Sequence, residues 1–280
     1  MKKSILFIFT ACFLFTTSCS DFLDEEHKTK YSSEYVFGTP EGLKLAVNAL
    51  YALQRYYAND TENATIFALE RGTDLAVTNG GTGNFYGIYD PNYLKPSASQ
   101  VGFMWRTMYQ IIGKANEIIA AAEDLEDTPS LRATVSEAKC FRAQSYFLLY
   151  RTFDRIWLNI QPTTAENVND PRDFHAASEK EVFDLIYEDL EYAITNLDWV
   201  SDEAGRFTQA AARHMKAKAA LWLKDWDTTL EQVEEIEKSG HFDLIALNEV
   251  FNAGDLNHKE ALMVQQWSKN PGGNLSNATP

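Results

Sequence analysis

From residue 39 onward, apolar residues return every three or four positions, the spacing of a helix with one buried face. The first run, Leu43, Val47, Leu50 and Tyr51, opens at Thr39-Pro40, a capping residue followed by one suited to the first helical turn. A second run spans 103–123, with Trp105, Met108, Ile112, Ala115 and Ile119 on one stripe. Thr128-Pro129 opens a third, and its middle, 140–150, is apolar nearly all round, which predicts a helix buried on most sides. Ser178 and Glu181 form a capping box ahead of Val182, Ile186, Leu190 and Ala193. Thr208 caps a fifth, alanine-rich helix. A sixth covers 227–239 and stops at Gly240, the residue type that closes helices in the left-handed region. Strand signal is slight, with 261–264 (Ala-Leu-Met-Val) the best candidate. The fifth and sixth helices form a hairpin whose centre, Ala219-Ala220-Leu221-Trp222, resembles the middle of a tetratricopeptide repeat, although Thr229 stands where that repeat normally has Ala. The expected fold is all-α: tetratricopeptide-like helical repeats with long irregular loops.

Two stretches break the pattern. Residues 71–101 are rich in Gly, Asn and Tyr, and 154–177 is an extended connection containing Trp157 and Pro162. Loops of this length are uncommon in compact domains and are often functional.

The start of the chain follows a different logic. Lys2 and Lys3 precede an apolar run from Ile5 to Phe15 broken only by Thr10. At 1.5 Å per residue it spans about half a bilayer core, too short for a transmembrane helix and right for a signal peptide. Small residues follow and then Cys19, the arrangement for cleavage before the cysteine and lipid attachment to its sulfur; Thr16 stands where such signals usually carry Leu. The bland alternative is an ordinary signal peptide with a chance cysteine. The expected organisation is a signal peptide at 1–18, a lipidated acidic tether at 19–38 and a helical-repeat domain at 39–280. Asp21, Asp24, Glu25 and Glu26 suit either a surface-export signal or a solvated tether. The formal net charge is −15, and removal of the leader with its two lysines makes it −17. That balance disfavours nucleic acid, whose phosphates need clustered Lys and Arg. It also leaves the lipid anchor as the expected contact with the membrane. Three cysteines make no disulfide framework; Cys140 is expected to act as a small buried hydrophobe.

Nothing in the chain calls for catalysis, a metal or a cofactor. The five histidines, His27, His175, His214, His241 and His258, have no partner at ligand spacing. There is no Gly-x-Ser-x-Gly elbow. Gly81, Gly83 and Gly87 miss the dinucleotide fingerprint by one residue, and no Walker lysine follows. Paired acids such as Glu234-Glu235 read as solvated helix faces, although two carboxylates of a hydrolase need only meet in space.

Several stretches, in order, resemble the SusD/RagB family of nutrient-binding outer-membrane lipoproteins. They are Cys19-Ser20-Asp21-Phe22-Leu23-Asp24; Glu41-Gly42 with Val47-Asn48-Ala49-Leu50-Tyr51; and Trp105 with Tyr109, Ile112, Ala115 and Asn116. The most specific runs from Glu137-Ala138-Lys139-Cys140 through Phe141-Arg142-Ala143-Gln144-Ser145-Tyr146-Phe147. Asp189-Leu190 and Gly205-Arg206-Phe207-Thr208 follow. Glu137, Arg142 and Tyr146 on an otherwise apolar helix need partners, and are expected to form one buried network that positions helices. The chain departs from the family where Asp154-Arg155-Ile156-Trp157 replaces the usual Gly-Asp-Val-Pro, and the resemblance implies that these 280 residues correspond to the N-terminal half of a usual member. The resemblance implies a SusD-like fold and a cell-surface lipoprotein. It also implies capture of an oligosaccharide or other nutrient and its delivery to a SusC-like TonB-dependent transporter. The other readings are a lipidated helical-repeat scaffold that binds only proteins, and a lipoprotein hydrolase.

Sugars present apolar C–H faces ringed by hydroxyls, so a sugar site needs aromatic platforms beside planar polar groups. The first long loop supplies both: Phe85, Tyr86, Tyr89 and Tyr93 with Arg71, Asp74, Asn79, Asn84, Asp90 and Asn92. The competing use of these rings is to pin the loop to the helices. Trp157 is a weaker candidate on the second connection.

Overall fold

A computed structural model describes residues 31–59, 95, 99–164, 166–171, 174–250 and 257–266. Its helices are α1 (Ser33–Gly38), α2 (Pro40–Asn59), α3 (Ser99–Ala122) and α4 (Pro129–Thr152), then α5 (Glu179–Asn196), α6 (Gln209–Leu223), α7 (Trp226–Lys238) and the short α8 (Leu247–Val250). No strand occurs among the described residues. From α2 to α7 each helix packs on the next, and α4 also touches α2 and α6. The result is an all-α stack of antiparallel hairpins with α4 at its centre.

The starts and stops follow local chemistry. Thr128, Ser178 and Thr208 each accept a hydrogen bond from the third backbone N–H of their helix, and Ser178 and Glu181 complete the capping box. Gly240 follows α7 with φ of 68°. Ahead of the first expected helix lies α1, capped by Ser32 and packed on α2 and α3. Gly42 allows this approach: a Cβ there would sit 2.2 Å from the Tyr35 carbonyl oxygen.

Two expectations need correction. Residues 261–264 are not a strand. They cross the turn at Gly205 as irregular chain, where a Cβ would lie 3.1 Å from the Val264 carbonyl oxygen, and among the described residues no strand offers a ladder. Burial on α4 is continuous over 134–143 rather than 140–150, with Gln144 exposed and Phe147, Leu148 and Tyr150 half-buried. The buried stretch includes Glu137, Lys139 and Arg142, whose partners reach them from neighbouring helices.

Cys140 is fully buried and a free thiol, and burial pushes its pKa up, so it packs as a hydrophobe. The alanines of α6 do what small residues do in helix pairs. Ala210, Ala212, Ala219 and Ala220 are fully buried. Ala220→Leu is therefore expected to overpack this seam and lower stability by about 1–3 kcal/mol in urea denaturation; an unchanged midpoint would mean the seam has room. On α7 the pattern is turned round. Thr228, Thr229 and Gln232 lie on the more buried side, while Trp226, Leu230 and Val233, with Leu221 and Trp222 of α6, form an exposed apolar stripe.

Candidate functional site

The helix ends decide which residues share a surface. Near the end of α2, Tyr57 stacks on Phe103 near the start of α3 at 6.1 Å, and Tyr56 meets the same ring edge-on at 5.7 Å. The end of α4 joins them through Phe153, which packs edge-on against Trp105 at 5.0 Å. Tyr150 of α4 donates to Glu179, the first residue of α5. Both long connections therefore leave and re-enter the stack at one end. The sequence-derived ligand residues, Arg71, Asp74, Asn84, Phe85, Tyr86, Tyr89 and Tyr93, with Asn79, Asp90 and Asn92, lie outside the described residues, as does Cys19. The helices that flank the first connection place its two ends beside each other at this aromatic end.

The second connection is held down along its length. The Tyr109 hydroxyl accepts from the Trp157 N–H at 2.9 Å and donates to the Trp157 carbonyl at 2.8 Å. Tyr146 does the same for Asn159, at 2.7 and 2.8 Å. The Asn116 amide donates to the Asn159 carbonyl at 2.7 Å, and the Ile156 carbonyl accepts from Ala177 N–H at 2.9 Å. Two tyrosines and one asparagine thus stand in for the neighbouring strand that this extended segment lacks. Burial raises the pKa of both hydroxyls, so both remain protonated and able to donate.

This clamp carries a row of rings. Trp105 tilts against Tyr109 at 4.8 Å, Tyr109 stacks on Trp157 at 6.4 Å, and Trp157 meets Phe174 at 4.8 Å. Phe174 is 69% exposed. Arg106 and Gln110, one residue beyond Trp105 and Tyr109 on α3, are also exposed. The row therefore offers rings of fixed orientation, the platform that the apolar face of a sugar requires. Sequence reasoning singled out Trp157 but missed Phe174, Trp105 and Tyr109 as its companions. Trp105 and Tyr109 are four apart on one helix, and only the turn of 154–177 back across α3 makes them neighbours of Trp157.

Beneath the clamp lie two buried polar clusters rather than the single network expected from α4. In the first, Arg142 grips Asp189 with two hydrogen bonds of 2.7 and 2.8 Å, and Lys139 adds a third at 2.8 Å. Arg142 also donates to Asn116 at 2.8 Å, so the pair is wired to the clamp. Burial pulls the Arg142 pKa down, but its bonds to Asp189 outweigh this and the net shift is upward. In the second, Glu137 accepts from the Tyr51 hydroxyl and lies 3.4 Å from Arg206. Burial raises the Glu137 pKa against the pull of these two partners. Tyr51 also accepts from the Phe207 N–H at 2.7 Å, and Phe207 packs on Phe141 at 4.9 Å. The division has a simple cause: Glu137 and Arg142 lie on different faces of α4, and each face meets its own neighbours. Every one of these charges is matched inside the stack, so the clusters are architectural. Among the described residues no group of three or more His, Cys, Asp or Glu is arranged to hold a metal.

A family profile of SusD-like proteins, described as "Starch-binding associating with outer membrane", matches residues 21–221. A SusD-like protein of Bacteroides ovatus is 25% identical over 292 residues, covering 95% of this chain and 50% of that protein. A crystal structure determined with a xylogluco-oligosaccharide aligns with a TM-score of 0.67 at 21% identity, over 81% of this chain and 46% of that one. A laminarin-binding SusD-like protein aligns with a TM-score of 0.59 at 23% identity, over 73% and 46%. The chain spans about half the length of the curated relatives it matches. At these identities the structural likenesses establish the fold.

Proposed function

Because the chain belongs to the SusD-like family, we propose that it is a lipid-anchored glycan-binding protein of the outer-membrane surface that passes oligosaccharide to a SusC-like TonB-dependent transporter. The observation that carries the binding half of this reading is the aromatic end of the helical stack. Rings clamped by paired hydrogen bonds lie at the end of the stack where the connection bearing Arg71, Asp74, Asn84, Phe85, Tyr86, Tyr89 and Tyr93 leaves α2 and enters α3. Rings held in place before binding lose little freedom when a sugar arrives. The similar structures, one determined with a xylogluco-oligosaccharide and one of a laminarin-binding protein, support the same class of ligand. No catalytic role is proposed, since the polar clusters at hand are matched within the stack.

The experiment is calorimetry of the full chain with a glycan selected on an array, followed by Asn84→Ala, Tyr86→Ala and Tyr89→Ala singly. Each is expected to weaken binding about tenfold, the size of one good polar or stacking contact. If all three fold and bind like the parent, the first connection only pins the loop and the contacts lie elsewhere. The anchor has its own test. Mass spectrometry of the membrane-extracted protein is expected to find diacylglycerol on Cys19 as the first residue; a mature chain starting elsewhere without lipid removes the tether from the proposal.

A protein-only scaffold is the second reading, favoured by the exposed stripe of Trp226, Leu230 and Val233. It is distinguished by the array, where a scaffold binds no glycan at all.

A further inference from the structure

We propose that a cavity between α2, α4 and α6 takes the anionic group of an acidic sugar, a uronate carboxylate or a sulfate ester on a single ring. This rests on the glycan-binding reading above and gives it a charge preference. The cavity has a volume of about 260 Å³. That is just below the range of ligand pockets, roughly 300 to 1,000 Å³, and it suits one ring unit rather than a chain. Its floor is apolar, made by Met108, Ile111, Phe147 and Met215 among others.

The polar groups at its wall are mismatched in one direction. Tyr57 Oη and Gln265 Nε2 are buried there without a hydrogen-bond partner. Arg151 and Lys218 line the same space, and neither meets a carboxylate among the described residues. All four groups are hydrogen-bond donors, two of them charged. Gln54 and Gln144, also in the lining, already bond each other at 2.9 Å. The cavity therefore leaves donors unsatisfied and lacks an acceptor carrying negative charge. The excess of donors stands out in a chain of net charge −15.

The geometry is also prepared. The Arg151 guanidinium lies over the Phe147 ring at 4.5 Å, which holds it against the wall. Its charge is near enough to draw the Tyr57 pKa down against the larger upward effect of burial. Guanidinium and hydroxyl thus act together, as a planar donor and a single donor on one anion. Tyr57 belongs to the last turns of α2, where the chain departs toward the first long connection.

The test is calorimetry of the full chain with size-matched oligosaccharides carrying glucuronate, carrying a sulfate ester, or neutral. Either acidic set, or both, is expected to bind at least tenfold more tightly than the neutral one, and the two acidic arms tell carboxylate from sulfate. Arg151→Gln and Lys218→Gln alter exposed side chains, so both should fold. Each is expected to reduce the preference about tenfold and to weaken its dependence on salt. Equal affinity for acidic and neutral sugars overturns the proposal and leaves glycan binding intact. A preference that survives both substitutions also overturns it. If no saccharide of any kind binds, glycan binding fails, and this inference with it.

Discussion

Asp189→Ala is expected to destabilise the chain by about 3–5 kcal/mol, the cost of removing one partner from a buried ion pair. Asp189 has no exposed surface. It receives three charged hydrogen bonds, two from Arg142 and one from Lys139. The alanine leaves a guanidinium and an ammonium beside each other in the interior with nothing opposite. Both are long side chains, but only Lys139, whose side chain is 11% exposed, has a short route toward water. Arg142 is additionally tied to Asn116 and must break that bond to move. The damage therefore spreads from α5 through α4 to α3. Urea denaturation reads the loss as a lower midpoint, and a shift worth less than about 1 kcal/mol would show that water reaches the pair. Lys139→Met with the aspartate kept should cost less, since the bidentate Arg142 contact remains. That ordering separates loss of a charge from loss of packing.

The same ion pair shows how far the sequence could be read. Helix caps were legible because their chemistry is local: Thr128, Ser178 and Thr208 bond N–H groups three residues away. The membership of α4 in the core was legible from its apolar run. What that helix does with Glu137, Arg142 and Tyr146 was not, because their partners stand 86, 47 and 13 residues away on three different elements. Periodicity says that a buried charge needs a partner and is silent on which one. The short α1 has too few residues for a period to declare itself, although Ser32 caps it. Residues 261–264 had the composition of a strand and, among the described residues, no strand to pair with. The site divides in the same way. Trp157 was visible as an aromatic on a long connection, but its row required α3 to run beneath that connection.

Tyr109→Phe combined with Tyr146→Phe is the other large effect, and it joins the stack to the site. Each hydroxyl satisfies both the N–H and the carbonyl of one residue in the second connection. Phenylalanine keeps the ring and its packing but removes these bonds in a partly buried place, while the Asn159 carbonyl still accepts from the Asn116 amide. Each loss is expected to cost about 1–3 kcal/mol. The two sites share one segment and so need not add. The segment has a cheaper response than staying unsatisfied: it can lift from α3 and α4 and let water in. In that case global stability falls by less than the sum, while the amides of Trp157 and Asn159 lose hydrogen-exchange protection by factors of about 10–100, the equivalent of 1.4–2.8 kcal/mol. Lifting also separates Trp157 from Tyr109 and breaks the row that ends at Phe174. The double variant should therefore bind its glycan more weakly while remaining folded. Unchanged exchange at both amides would mean that the Asn116 amide and the Ile156 carbonyl, which bond the same stretch, hold it without the tyrosines.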